Sequence, residues 1–389
     1  MPWRERSPMD ERVQFISDYR RQLFTMTELC ERYSVSRKTG YALVERYERE
    51  GPTGLVPRPS RPHHSPQATA SVVVQAIVAM RKQRPTWGGK KILAKLRERQ
   101  PTWALPAVST ANDILKRHDL VVPRRRRRPV GHPGYQPRQA TAPNEIWTTD
   151  FKGQFRTGDA HWCYPLTIVD SFSRYVIACR GMVAPTTGDV VAVFRRAFRT
   201  YGMPAVIRSD NGEPFAASSL ARLSRLSVWW IRLGITPELI EPASPQQNGA
   251  HERMHRTLKA ETTRPPAADL AGQQRRFTRF RTIYNDERPH EALAQQPPAR
   301  VYMPSRRPFP DHLVPLEYPG HYESRRVSSC GAISWNSRVV SISTVLTRET
   351  IGFEPVDDGI WDVHFGPVRL GRFDERRHRL EPAGTWRRR

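Results

Sequence analysis

Glu241-Pro-Ala-Ser-Pro-Gln-Gln-Asn-Gly-Ala-His-Glu252-Arg-Met-His-Arg-Thr-Leu-Lys259 joins two kinds of backbone. Pro242 and Pro245 forbid a helix at its start, because each lacks a backbone N–H and clashes with the preceding turn. From about Gly249 onward the spacing predicts a helix. On it Asn248, Glu252, His255, Arg256 and Lys259 share one face by steps of three and four. Ala250, Met254 and Leu258 fall on another, the natural core side. One acid therefore stands in a row of amides and cations. A solvated face with ordinary salt pairs is one reading of that row. A working carboxylate is the other, and two acids upstream bear on the choice.

Working outward, Ile146-Trp-Thr-Thr-Asp150-Phe151 has strand propensity. Trp162–Val169 and Tyr175–Met182 are two more apolar runs, separated by the turn-like Asp170-Ser-Phe-Ser-Arg174, so they read as a hairpin. Asp189–Tyr201 is an amphipathic helix, and Ala205–Asp210 is a short buried strand ending at the Asn211-Gly212 turn signal. Phe215–Leu233 reads as helix and Ile235–Ile240 as strand. This order gives a mixed sheet with helices against its faces. Asp150 ends the first strand and Asp210 the fourth. If those strands are neighbours, two carboxylates lie side by side, which is costly unless a cation neutralises them. Glu252 would complete an oxygen-rich site for Mg²⁺ or Mn²⁺.

Four segments carry a resemblance: Trp147-Thr-Thr-Asp150-Phe, Val169-Asp170-Ser-Phe-Ser-Arg174, Ser209-Asp210-Asn211-Gly212 and Ser244-Pro-Gln-Gln-Asn248-Gly-Ala-His-Glu252-Arg. In this order they resemble the integrase core of retroviral integrases and bacterial insertion-sequence transposases, over roughly residues 140–300. Tyr284-Asn285-x-x-Arg288-Pro289-His290-x-x-Leu293 also looks like the bacterial group. The resemblance implies an RNase-H-like fold with a catalytic, metal-binding triad at Asp150, Asp210 and Glu252. It further implies two Mg²⁺ or Mn²⁺ ions per site, cleavage at element ends, and strand transfer into target DNA by a dimer or larger homo-oligomer. One departure is the gap of 41 residues between Asp210 and Glu252 (252 − 210 − 1), longer than the family's usual spacing. The surplus is expected to lengthen the helix around Trp229-Trp230, and Glu241 is the rival third acid.

Composition supports a polyanionic partner. The chain of 389 residues carries a net charge of +25, with Lys and Arg spread along its whole length. Double-stranded DNA, both element ends and target, is the expected ligand. No apolar run approaches a membrane span, and the N-terminus shows no apolar signal core. Four scattered cysteines without a CxxC pair exclude a disulfide framework and a zinc ribbon, and a reducing cytoplasm fits.

The flanks read as modules. Residues 1–55 form a helix-turn-helix, with Val13, Ile16 and Tyr19 on the first helix and Leu29 and Tyr33 inward on the second. Ser36 caps a third helix that has Tyr41, Val44 and Tyr47 on one side and Arg37, Lys38 and Thr39 offered to DNA. Residues 56–68 are a Pro-rich linker in which Arg58 and Arg61 suit a minor groove. Residues 69–123 repeat the helical theme and read as a second helix-turn-helix-like domain, so two all-α modules precede the core. Val73, Ile77, Met80, Ile92, Leu96, Ile114 and Leu115 face inward, Ser109 is a cap, and Lys90 and Lys91 are set to meet nucleic acid. Arg124, Arg125, Arg126, Arg127 and Arg128 open a basic linker to residue 143, a natural phosphate contact. The core spans 144–300 and a connector 301–320. Residues 321–389 contain five short strands (Ala332–Trp335, Val339–Ile342, Glu349–Phe353, Ile360–Phe365, Val368–Phe373) read as a small β-barrel with a basic tail. His251 and His255 are read as filler or as proton and phosphate contacts. The competing functions are a non-catalytic DNA-binding regulator with a decayed core and a nuclease acting on RNA–DNA hybrids.

Overall fold

The structure is a computed structural model that describes residues 7–57, 68–121, 138–217, 219–240 and 249–383. Arg58, Arg61, Arg124–Arg128, Glu241 and Asn248 lie outside the described residues. The chain packs as two units, Met1–Ala68 and Thr69–Arg389.

In the first unit, α1 (Pro8–Arg20), α2 (Met26–Arg32) and α3 (Arg37–Glu50) begin at Ser7, Thr25 and Ser36. Each cap accepts a hydrogen bond from the N–H three residues on, which satisfies a donor the helix leaves free. Phe15, Ile16, Leu29, Cys30, Val44 and Leu55 form the core. Two positions differ from the sequence reading. Val13 is 49% exposed and Tyr41 is 59% exposed, and it is Gly40 that α3 turns toward Cys30 and Met26. A Cβ at Gly40 would stand 2.6 Å from Cys30 Sγ, so only glycine allows so close an approach.

The second unit starts with α4 (Ser71–Gln83), α5 (Gly89–Arg99) and α6 (Val108–Arg117), packed around the buried Trp87. Ser109 does not cap α6. It lies inside the first turn, and Ala107 stands at the cap without a side-chain bond.

The central sheet follows, built from β1 (Ile146–Phe151), β2 (Phe155–Arg156), β3 (Trp162–Asp170), β4 (Val176–Met182), β5 (Val206–Ser209) and β6 (Thr236–Leu239). β3 pairs antiparallel with β1, β2 and β4, while β1–β5 and β5–β6 are parallel. The mixed sheet and the β1–β5 neighbourhood match the sequence reading. α7 (Thr187–Tyr201) and α8 (Arg225–Arg232) pack with the face carrying Trp147, Ile168 and Ile207. α9 (Gly249–Thr262) and α10 (Leu270–Thr282) supply Met254, Leu258, Phe277 and Phe280 to the cluster that takes Val169 and Val176 from the sheet.

The expected long helix around Trp229-Trp230 is a correction: α8 has only 8 residues. Ala221 and Arg222 take positive φ, which helical backbone does not tolerate, and Ser224 restarts the helix by capping Ser227. The apolar density that read as helix is there because this segment has two sides to fill. Leu226 and Trp230 enter the central core, while Leu223, Val228 and Ile231 join the C-terminal core.

That C-terminal core lies under β7 (Glu323–Arg326), β8 (Ala332–Trp335), β9 (Arg338–Ser341), β10 (Thr350–Asp357), β11 (Ile360–Phe365), β12 (Val368–Asp374) and β13 (Arg379–Pro382). Five strands form an antiparallel sheet in the order β13-β12-β11-β10-β7, and β8–β9 is a separate hairpin. Trp335 of the hairpin packs on Phe353 and Phe373 of the sheet. The edge strands β7 and β13 escape pattern reading because charged residues interrupt their alternation, as is common at exposed sheet edges. Among the described residues no pairing closes the sheet.

Candidate active site

β1 and β5 run parallel with Thr149 opposite Ser209, so Asp150 and Asp210, the next residue of each, leave adjacent strands together. Asp210 then turns, and its Oδ1 accepts from the Gly212 N–H at 3.2 Å. Burial pushes the Asp150 carboxyl up to about 7; the charges of Asp210 and, more weakly, Glu252 add to this, while the Phe151 N–H and Lys152 oppose it. Burial likewise raises Asp210. Glu252 is exposed on the first turn of α9. All three acids thus act within one electrostatic neighbourhood. Among the described residues no three or more His, Cys, Asp or Glu side chains converge closely enough to hold a metal ion. The donor chemistry still fits a hard divalent cation: all oxygens, with one carboxyl kept partly protonated until a positive charge replaces its proton.

Behind Asp150 the helix presses two histidines into the sheet. His251 is 1% exposed and His255 5%. Placing His255 on the polar stripe with Glu252 is therefore corrected: it faces inward beside Met254 and Leu258. Its polar atoms find partners there. Thr167 Oγ1 lies 2.6 Å from both His251 Nε2 and His255 Nε2, and Thr148 Oγ1 lies 2.9 Å from His251 Nδ1. His255 Nδ1 faces Asp150 Oδ2 at 3.6 Å. Burial keeps both rings neutral, with His251 held down at about 3.

Beside Glu252 opens a cavity of about 990 Å³ whose lining includes Arg138, Arg174, Arg208, Arg253 and Arg256, with Glu252 the one acid among the described residues. Arg138 pairs with Glu145 at 2.5 Å and Arg208 with Glu238 at 2.8 Å. Among the described residues the guanidinium groups of Arg174, Arg253 and Arg256 make no ion pair. Burial and the like charge of Arg253 lower the pKa of Arg174. Three cations with no ion pair among the described residues, facing one cavity, leave room for an anion. Sequence reading singled out Arg256 and missed Arg174 and Arg253; the signal for Arg174 was its place in Asp170-Ser-Phe-Ser-Arg174. Asp170 shapes that turn, accepting from Ser173 N at 2.8 Å and Ser173 Oγ at 2.6 Å.

The remaining expected contacts fall into two groups. Arg37, Lys38, Thr39 and Lys259 are exposed. Lys90 and Lys91 are instead engaged by the core. Lys90 pairs with Glu291 at 2.6 Å, and Lys91 donates to the Pro289 carbonyl. Burial and the neighbouring Arg288 bring Lys91 down to about 8. Arg84–Glu287 at 2.7 Å and Arg288 to Thr86 at 3.0 Å belong to the same contact. The Tyr284–Leu293 motif is accordingly a joint: Asn285 Oδ1 accepts from the Val176 N–H at 2.8 Å and its Nδ2 donates to the Val176 carbonyl at 3.0 Å.

Residues 140–245 and 233–298 match the integrase core domain. Residues 11–63 match a helix-turn-helix domain and 39–115 a homeodomain-like domain. An uncharacterized 39.2 kDa protein of insertion element IS476 from Xanthomonas euvesicatoria is 28% identical over 211 residues, covering 51% of this chain and 56% of that protein. A 31.7 kDa uncharacterized protein of insertion element IS407 from Burkholderia multivorans is 29% identical over 154 residues, covering 39% and 53%. The chain thus spans about half the length of these curated relatives. A solved structure, the HTLV-2 integrase catalytic core domain in complex with magnesium, is 17% identical with a TM-score of 0.33 over 42% of this chain and 99% of that one. The chain carries an integrase core domain together with helix-turn-helix domains and is homologous to insertion-element proteins. Among the described residues no helix is long and apolar enough to cross a membrane.

Proposed function

We propose that the protein is a transposase of the Asp-Asp-Glu type, cutting DNA at the ends of its element and joining those ends to target DNA. The observation that carries this reading is the parallel β1–β5 pair, which delivers Asp150 and Asp210 side by side, with Asp150 raised by burial and by both other acids. Asp150, Asp210 and Glu252 would hold Mg²⁺ or Mn²⁺, two ions per site. Bound there, such ions supply activation of the attacking oxygen and stabilisation of the leaving one. Both steps are in-line displacements at phosphorus, first by water to free a 3′-hydroxyl and then by that hydroxyl, so one set of acids serves both.

The rest of the chain binds and orients. Arg174, Arg253, Arg256 and Lys259 would hold backbone phosphate beside the acids, the positioning use of such side chains. Arg37, Lys38 and Thr39, exposed at the start of α3, would meet base edges, with Arg58, Arg61, Asn248 and the run Arg124–Arg128 as further contacts. We assign the modules as in the sequence reading, with the C-terminal sheet and hairpin as the small barrel. Element ends come in pairs, so a dimer or larger symmetric assembly in the cytoplasm follows.

The test is end cleavage and strand transfer with Mg²⁺ on duplexes built from the sequences that flank the gene, any inverted repeats among them serving as the ends. Asp150→Asn, Asp210→Asn and Glu252→Gln should each lose about a thousandfold, the several kcal/mol that metal-held charge supplies. Full transfer by any of the three sinks the assignment. The absence of a closed three-ligand cluster among the described residues favours one alternative, a non-catalytic DNA-binding regulator. That alternative predicts tight end binding and no cleavage by the unmodified protein.

A further inference from the structure

α9 buries two histidines where its neighbours Met254 and Leu258 show that apolar side chains pack. A buried polar ring is costly unless its nitrogens are satisfied. One assignment of protons gives three of the four ring nitrogens a hydrogen bond and follows the shorter distances. Thr148 Oγ1 donates to His251 Nδ1 at 2.9 Å rather than to the Val169 carbonyl at 3.3 Å. His251 Nε2–H then donates to Thr167 Oγ1 at 2.6 Å. The Thr167 hydroxyl donates to His255 Nε2 at 2.6 Å rather than to the Asp150 carbonyl at 3.1 Å. This leaves the His255 Nδ1–H facing Asp150 Oδ2 across 3.6 Å. The opposite direction would set a ring lone pair against the carboxylate.

We propose that Thr148, His251, Thr167 and His255 are positioning residues: a one-way chain of hydrogen bonds that ends at His255, sets its Nδ1–H electrostatically against the Asp150 carboxylate at 3.6 Å, beyond hydrogen-bond length, and fixes α9, and with it Glu252, over the same strands. The inference rests on the metal-dependent reading above. Its logic is that of the outer ligands of metal sites, where a hydrogen-bonded partner orients the carboxylate or imidazole that holds the ion. Two features make the chain more than a buried contact. It spans both strands under the helix, with Thr148 on β1 and Thr167 on β3. Its two rings sit one turn apart on α9 with centroids 4.5 Å apart, so they and Glu252, next to His251, move as one piece. Every link is neutral, so the dipoles add toward Asp150 without burying a net charge.

The experiment is a calorimetric Mn²⁺ titration of the full chain, run in parallel on the unmodified protein, Asp150→Asn, Thr167→Val, Thr167→Ser and His255→Phe, with a thermal melt of each. Thr167→Val and His255→Phe should weaken Mn²⁺ binding by about ten- to a hundredfold, the usual effect of removing an outer partner. Thr167→Ser, which restores the hydroxyl, should bind as the unmodified protein does. His255→Phe keeps the ring packing, so it reads the link even if Thr167→Val fails to fold. Folded Thr167→Val and His255→Phe proteins that bind Mn²⁺ normally, while Asp150→Asn does not, would overturn the chain and leave the metal reading standing. Normal binding by Asp150→Asn removes the metal reading and this inference together. Long-range proton–nitrogen correlation spectra of histidine-labelled protein test the direction. The chain requires the proton of His251 on Nε2 and that of His255 on Nδ1, and a His255 proton on Nε2 overturns it.

Discussion

β1 serves two different interiors. Trp147 points into a dry cluster with Phe194, Phe198, Leu226 and Trp230. The alternate residues Thr148 and Asp150 point the other way, under α9, where their side chains meet the imidazoles of His251 and His255, themselves tied to the Thr167 hydroxyl. The dry side is held by area and shape, which many apolar sets could supply. The polar side is held by a count of donors and acceptors that few other sets could meet. The two sides should therefore fail differently: the first by unfolding, the second by losing its ligand while still folded.

The largest expected effect is on the dry side. Phe194→Ala should cost about 3–5 kcal/mol in urea unfolding, with Mn²⁺ affinity of the remaining folded protein unchanged. A metal defect without a stability defect would erase the contrast. Next comes the cavity beside the polar side. Arg174→Ala should weaken duplex binding about tenfold, the loss of one charged hydrogen bond, and lower the salt slope by about one, with little change in melting temperature. Unchanged DNA affinity would remove Arg174 from the phosphate path.

Proton linkage gives an effect of similar size or smaller. The Asp150 carboxyl is raised from 3.8 to about 7, so the metal-free folded chain holds its proton more tightly than the unfolded chain does. This group's contribution to stability therefore falls as pH rises from about 4 to 7 and is level above that. A bound cation must displace the proton below pH 7, so Mg²⁺ affinity should drop about tenfold from pH 8 to pH 6. The melting-temperature gain on adding Mg²⁺ should shrink accordingly; a gain independent of pH would show that Asp150 is not a ligand. The smallest effect belongs to the first unit. Lys38→Ala should reduce the salt slope of DNA binding by about one without touching either interior.

What was legible follows the range of the interactions. The strand-end acids could be read because period-two alternation and turn signals are local, and α9 because two prolines and a glycine bound its start. His255 was misplaced because its partners, Thr167 and Asp150, lie 88 and 105 residues away (255 − 167, 255 − 150), and a polar residue type alone argues for solvent. Lys90 and Lys91 were given to DNA for the same reason: their partners Glu291 and Pro289 come some two hundred residues later. The region before α8 was read as helix because an irregular segment filling two cores is as apolar as a helix. Arg174 looked like part of a turn because nothing in sequence shows that a cation makes no ion pair among the described residues.

Anomalous scattering from crystals soaked in Mn²⁺ tests the central claim most directly, that β1 and β5 carry a metal site. The account predicts an ordered peak bounded by the carboxylates of Asp150 and Asp210. Ordered Mn²⁺ on a different set of ligands, with none between those two side chains, would contradict it.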